Sequence, residues 1–408
     1  MTHTSRAVVD LAAIRHNVRT LAARAPGAEV LAVVKADAYG HGLLPVARAA
    51  LAGGATWLGA AQLTEALALR AGLDAGRDKG PGAEVDGGPD AGPDEEPTRS
   101  RILTWIYGPG APLAAAIEAD LDLGVSAQWA LAEIVAAARA TGTAARIHLK
   151  VDTGMSRLGC RPEGWHELVA AARAAATAGN VRVVGVWSHL ACADDLASPA
   201  TAAQREAFVA ALDVARAAGL RPLAHLAASG GILWHPDTHF DLVRAGIAMY
   251  GISPAPDVAT AAELGLRPAL RWEADLVLVK HAPAGTPVSY GWTERVEHAT
   301  WLGVVPVGYG DGVPRSASGA GPLRVAGRDT RVLGRVCMDQ VIVDLGPGAG
   351  PDTGPAAAGT PAVLIAGAAG DGPSAEDWAR AAGTIGYEIV TRLGPRVPRI
   401  HIDSEESA

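Results

Sequence analysis

From residue 30 to about residue 250, short runs of branched apolar residues alternate with longer amphipathic, alanine-rich stretches. The apolar runs fall at 30–34, 56–60, 102–107, 121–125, 145–151, 181–188, 223–227 and 242–247, and each has the length and composition of a strand. Helical spacing fills most of the gaps, at 44–51, 62–71, 113–119, 129–140, 165–178 and 202–218. Strand and helix in strict alternation predict a parallel sheet, and eight such units predict a closed (β/α)₈ barrel of the TIM type. An open doubly wound sheet is the rival, but no Gly-x-Gly-x-x-Gly turn follows the first strand.

Two regions break this pattern. Residues 74–100 are rich in Gly, Pro, Asp and Glu and almost without large apolar side chains, so they predict a solvated, disordered insertion without chemistry. Beyond Tyr250 the segments 271–280, 301–307, 323–325, 331–336, 340–344 and 361–366 look like strands separated by Gly, Pro and Asp turns, and only 375–380, running toward Glu388, looks helical. The expected organisation is therefore a barrel over 6–252 and a mostly β domain over 253–408.

Composition narrows the class. No apolar run approaches the roughly 18 residues of a membrane span, and the first ten residues lack the apolar core of a secretion signal. A soluble, cytoplasmic protein without a membrane partner is expected. The net charge of −8 is spread along the chain, which leaves no basic footprint for nucleic acid. Cys160, Cys192 and Cys337 are too far apart for a Cys-x-x-Cys metal site, and His235, Asp237 and His239 read as a turn with solvated side chains, so no metal is expected.

Barrel chemistry gathers at the C-terminal strand ends. There the chain places Lys35, then Lys150 with Arg157, then His189, then His225 with Ser229, and Arg244 with Gly246 and Ile247. A lone lysine at a strand end is more often a snorkelling surface residue, and a lone histidine is more often structural. Five of eight strands ending in such groups favour a site. A lysine amine in a partly apolar mouth loses proton affinity and can condense with an aldehyde. Backbone amides at Ser229 and at Gly246 and Ile247, with the Ser229 hydroxyl, suit a phosphate. An aldehyde that carries a phosphate, such as pyridoxal 5′-phosphate (PLP), fits both halves.

Five segments in order then resemble the alanine racemase family: 32–42 (AVVKADAYGHG), 150–159 (KVDTGMSRLG), 243–251 (VRAGIAMYG), 288–291 (VSYG) and 334–340 (GRVCMDQ). The resemblance covers nearly the whole chain outside the insertion and the extreme C-terminus. It implies a PLP enzyme that interconverts L- and D-alanine, built as a homodimer whose active sites take a tyrosine and a Cys-Met-Asp loop from the partner. By matching motifs, Lys35 would hold the cofactor and act as base on one face, with Tyr290 as the base on the other. Arg244 would face the pyridine nitrogen. Arg157 would contact the cofactor's phenolic oxygen and the substrate carboxylate, to which Met338 would offer its N–H. Tyr39, Ser229, Gly246 and Ile247 would hold the phosphate. His189 and His225 would link Tyr290 to Arg244, Cys337 and Asp339 would support the loop, and Lys150 matches a lysine carbamylated in many members, where it steadies the residue matching Arg157.

Two positions depart from the family pattern: Ala228 stands where Asn often precedes the phosphate-binding serine, and Pro395 stands where a tyrosine often precedes Arg-Val-Pro. Three rivals remain. One is a racemase of serine or a larger amino acid. Another is a PLP decarboxylase, against which Cys337-Met338-Asp339 stands in place of Cys-Asp-Gly. The third is a non-catalytic PLP carrier, which generally lacks the second domain. D-alanine for peptidoglycan is the use the family implies.

Overall fold

The computed structural model describes residues 4–77, 99–348 and 354–404. It divides into two compact units: Arg15–Ala38 with Leu43–Met249, and the remainder, which comprises the chain up to Ile14, Tyr39–Gly42 and everything from Tyr250 onward.

The first unit is the expected barrel. Its strands are Glu29–Val33, Trp57–Gly59, Arg101–Thr104, Asp122–Val125, Ala145–Lys150, Val181–Trp187, Leu223–His225 and Leu242–Ala245. Each pairs in parallel with the next as far as Leu223–His225, and the first pairs with the last through Val30 and Val243. Between the last two strands the Arg244 N–H reaches the Ala227 carbonyl at 3.0 Å. All eight expected runs are strands, and seven of them end one to three residues earlier than expected.

Alternation along a strand decides which side chains face the helices. In Ala145–Lys150, Ala145, Ile147 and Leu149 are fully buried hydrophobics, while Arg146, His148 and Lys150 occupy the opposite face. Burying an Ile or Leu side chain contributes about 1.5–3 kcal/mol, so this period of two fixes the register. The expected insertion begins later than residue 74, because helix Leu63–Arg77 continues through that point, and Arg70 ties it to the Ala119 and Ser100 carbonyls at 3.0 and 2.8 Å. Residues 78–98 of the insertion lie outside the described residues.

The second unit is a nine-stranded sheet in the order Leu278–Ala282, Thr300–Val305, Val341–Gly346, Arg328–Leu333, Pro322–Val325, Pro361–Ile365, Leu270–Asp275, Ser5–Asp10, Arg399–Ile402. The run at 271–280 is therefore two strands. At Leu276 and Val277 the backbone changes partner, bonding first to Thr360 and then to Val304. The helical stretch near the C-terminus is also two pieces, Ala375–Ala382 and Gly386–Thr391, separated by Gly383 at φ +68°. Ser5–Asp10 lies antiparallel to Leu270–Asp275 and parallel to Arg399–Ile402. Its alternating burial suits an open sheet with one wet face; the barrel strands are buried on both. The N-terminal residues expected in the barrel thus belong to the second unit's sheet.

Gly251, the second residue of the second unit's long segment, has φ +77°, and a methyl group there would meet the Arg267 carbonyl oxygen at 1.9 Å. Gly251→Ala is expected to destabilise this unit by about 3 kcal/mol, read as a lower urea midpoint. An unchanged midpoint would mean that the turn rearranges without strain.

Candidate active site

Lys35 follows the first barrel strand and begins the helical turn Lys35–Gly40. Ala36, Asp37, Ala38 and Tyr39 all have φ between +52° and +54°, so this turn is left-handed. Left-handed helix costs a non-glycine residue about 1–2 kcal/mol, and contacts must hold it. The Ala38 N–H donates to Val34 O at 2.8 Å, the Asp37 N–H donates to the Glu65 carboxylate at 2.9 Å, and the Asp37 carboxylate accepts the Leu43 N–H at 2.8 Å. Strain retained in this way clusters at functional sites. Burial lowers the proton affinity of the Lys35 amine, the Arg157 charge lowers it further, and Glu65 opposes both.

Arg157 is carried by a loop folded around one carboxylate. Asp152 accepts the N–H groups of Gly154, Met155 and Ser156 at 3.0 to 3.1 Å, and Lys150 O and Cys160 N–H close the loop at 2.8 Å. Lys150 is buried, with its Nζ 3.8 Å above the Trp187 ring. Burial, then Arg244, Arg157 and Lys35, bring its amine down to about 7, with Asp152 opposing. Lys35, Lys150, Arg157 and Arg244 thus form a cationic mouth, with the Asp152 carboxylate opposing their charge at Lys150.

Arg244 is 3% exposed. Its two terminal nitrogens donate to the carbonyls of Ser188, His225 and Leu226 at 2.8 to 2.9 Å. They also meet His225 Nδ1 at 3.3 Å and His189 Nδ1 at 3.2 Å. Burial brings the guanidinium down to about 9, which leaves it charged at neutral pH. Burial, together with neighbouring positive charge, pushes both histidines well down, so they are neutral. Ser229 begins the helical turn Ser229–Trp234, and its Oγ accepts the N–H groups of Gly246 and Ala248 at 3.1 and 3.3 Å. Its own O–H then points away from both. Ala228 caps this turn with backbone only.

The second unit holds Tyr39, Tyr290, Cys337, Met338 and Asp339. Tyr39 is buried against Tyr250, with ring centroids 4.7 Å apart, and burial followed by Tyr387 pushes its phenol up, so it stays protonated. Tyr290 is 70% exposed and sits in a strained turn between Ser289 (φ +60°) and Gly291 (φ +74°). The Ser289 hydroxyl donates to Arg335 O at 2.6 Å and lies 3.4 Å from Cys337 Sγ. Arg396 joins Asp311 at 2.9 Å and Asp339 at 2.7 Å. Tyr290 and the Cys-Met-Asp loop are therefore one tied cluster. The nine other expected residues gather in the barrel unit: Lys35, Lys150, Arg157, His189, His225, Ser229, Arg244, Gly246 and Ile247.

Sequence reasoning passed over Asp122 and His148, which extend the Arg244 contacts into the barrel. His225 Nε2 meets His148 Nδ1 at 2.9 Å, and His148 Nε2 meets Asp122 at 3.3 Å. The signal was present: Arg146, His148 and Lys150 are polar at a spacing of two on one strand face. His239 is also buried and bonded to Ile232 O at 3.1 Å, contrary to the solvated turn expected there. Among the described residues no group of His, Cys, Asp and Glu could hold a metal ion, and no helix is long and apolar enough to cross a membrane.

Comparison with known proteins is consistent along the chain. Residues 9–254 match the model of the alanine racemase N-terminal domain, and residues 269–401 match that of the C-terminal domain. An alanine racemase of Beutenbergia cavernae is 56% identical, with all of both chains covered. One of Streptomyces coelicolor is 51% identical over 98% of this chain and 96% of its own. The solved alanine racemase of Streptomyces lavendulae superposes with a TM-score of 0.90 at 49% identity, over 100% of this chain and 99% of that one.

Because the folded Lys150 amine sits near 7, the unfolded chain holds a proton there, up to the ordinary lysine range of about 10.4, that the folded chain has lost. Stability of the cofactor-free protein should therefore rise as pH increases through this window. In carbonate-free buffer, the urea midpoint should climb less between pH 7 and pH 9.5 for Lys150→Met than for the parent. Equal slopes would show that Lys150 keeps its proton.

Proposed function

Because this chain belongs to the alanine racemase family, whose members are PLP enzymes, we propose that it interconverts L- and D-alanine with Lys35 and Tyr290 as opposed bases. The observation that carries this reading is the cationic mouth: Lys35, Lys150, Arg157 and Arg244 gather around a barrel end that also presents the Ser229 hydroxyl. That donor set fits a phosphate-bearing aldehyde. The amine is poised to bind a carbonyl, the Ser229 hydroxyl and the Ile247 N–H offer donors to a phosphate while Gly246 ties that segment to Ser229 Oγ, and a dianion relieves the crowding of positive charge.

Bound PLP supplies electron withdrawal that makes the substrate's α-proton removable. The protein supplies the rest. The Lys35 amine takes the proton from one face, and its lowered proton affinity favours the unprotonated form that this step needs. The Tyr290 phenol delivers a proton to the other face, and the reverse reaction exchanges the two roles. Arg157 and the Met338 N–H orient the substrate carboxylate. Arg244, which has only donors and is held by three carbonyls, would face the pyridine nitrogen without a proton-accepting partner, which would leave that nitrogen unprotonated and limit side reactions. Carbamylation of Lys150 would turn the buried amine into an anion beside Arg157.

We further infer a homodimer in which Tyr290 and Met338 complete the partner's site. Their exposure, 70% and 53%, with Trp292 at 65%, supports this: large apolar groups clustered at one loop system are more economically covered than left in water. A cytoplasmic supply of D-alanine for peptidoglycan is the role we assign to it.

With PLP and L-alanine in D₂O, the protein should give a near-equal mixture of enantiomers that is deuterated at the α-carbon, read by chiral chromatography and mass. Faster turnover of L-serine or L-lysine would move the substrate assignment. No α-exchange with any amino acid while PLP is bound would remove the racemase reading. Lys35→Ala and Tyr290→Phe should each be nearly inactive. Unfolding and refolding the two together should restore about a quarter of parent activity, since half the dimers are mixed and each mixed dimer has one intact site. No recovery from soluble mixed dimers would place Lys35 and Tyr290 of one site on the same chain.

A further inference from the structure

A continuous row of hydrogen bonds runs through the barrel interior below the mouth, from His189 to Arg244, His225, His148 and Asp122. His148, His225 and Asp122 are fully buried. At its lower end Asp122 also accepts from Arg101 Nε and Arg146 Nε, each at 3.0 Å. Space for the row is built into the backbone: a methyl group on Gly185 would lie 2.2 Å from His148 Nδ1.

The two ends dictate the direction of every proton between them. A guanidinium can only donate and a carboxylate can only accept. His225 Nδ1 must therefore be bare where it meets Arg244, so the neutral His225 ring carries its hydrogen on Nε2 and donates to His148 Nδ1. His148 must then carry its own hydrogen on Nε2 and donate it to Asp122. One arrangement satisfies all four contacts, and turning over either imidazole sets two donors or two bare nitrogens face to face.

We propose that Asp122 and His148 are positioning residues for the racemisation: they fix the tautomer of His225, and through it they hold Arg244 as an oriented donor at the barrel mouth. The inference rests on the racemase reading and adds to it two residues, at the far end of the row from the mouth, that touch neither cofactor nor substrate. Their role is to supply a directional anchor. Without Asp122, His148 could carry its hydrogen on either nitrogen, and His225 would present an N–H to Arg244 for part of the time. The guanidinium would then turn from its carbonyls, and its alignment with the cofactor would relax.

The test uses the PLP-loaded enzyme with ¹⁵N-labelled histidine and three variants. Glutamine at 148 can reproduce the sense of the row, with its amide N–H toward Asp122 and its carbonyl toward His225, whereas leucine of similar size cannot. His148→Gln should stay within about threefold of the parent. His148→Leu should lose about 10- to 100-fold in kcat, the range of a lost hydrogen bond to a charged partner, with little change in KM for alanine. The absorbance of the bound cofactor should shift in His148→Leu and not in His148→Gln. In the parent, the nitrogen shifts should report a bare Nδ1 on His225, and Asp122→Asn should mix the two tautomers. A parent His225 protonated on Nδ1 would overturn the proposal. So would a folded His148→Leu that keeps the parent kcat and cofactor spectrum. Should the leucine variant not fold, Asp122→Asn decides: unmixed tautomers with parent kcat reject the proposal, and mixed tautomers with reduced kcat support it. If the parent itself binds PLP but racemises nothing, the racemase reading fails, and the nitrogen shifts still decide the orientation of His225.

Discussion

A cation almost without exposure, Arg244, is the constraint around which the barrel mouth is arranged. Removing a guanidinium from water is costly unless its donors are met. The structure meets them with three strand-end carbonyls and two imidazole nitrogens. The carbonyls come from Ser188, His225 and Leu226, at the ends of two neighbouring strands, so the barrel's register and its chemistry cannot be separated. Shifting either strand by one residue would turn His225 outward and take away the partners of Arg244 at the same time.

The same constraint explains an interior unlike that of an ordinary barrel. Layers of Val, Ile and Leu usually fill this space. Here an ion-paired carboxylate, two histidines, a lysine and an indole share it, with Trp187 stacked on His225 at 5.5 Å and Lys150 above Trp187. Burial alone would raise the Asp122 carboxyl, but hydrogen bonds from His148 and Arg101 and the charge of Arg146 hold it well below the usual carboxylate range. A polar core of this kind gains little stability over an apolar one. Its value is orientation, because a row with one permitted proton order cannot be rearranged piecemeal.

Much of this was legible in the chain. The alternation of apolar runs and amphipathic stretches marks all eight barrel strands, and the ends of those strands carry the groups of the cationic mouth. The left-handed turn at Ala36–Tyr39 was not legible, because its Ala, Asp, Ala and Tyr carry no local preference for positive φ; contacts from Glu65 and Leu43, distant in sequence or outside the turn, impose it. Asp122 and His148 were missed for a different reason. Each was read as part of an apolar run, and only its spacing of two from other polar residues marks it as facing the interior. The split at Leu276 was hidden because both halves are good strand sequence and only the exchange of partners divides them.

The placement of Ser5–Asp10 bears on how the protein is made. This strand is translated well before both of its neighbours, Leu270–Asp275 and Arg399–Ile402. At about 5–20 residues per second of synthesis, its edges stay unpaired while the barrel's strands are translated and able to close. The second sheet therefore matures only after Arg399–Ile402 has been made. During that interval Ser5–Asp10 is an unsatisfied strand open to chaperones or to a neighbouring nascent chain, and Ser5, Arg6 and Asp10 keep it from being wholly apolar.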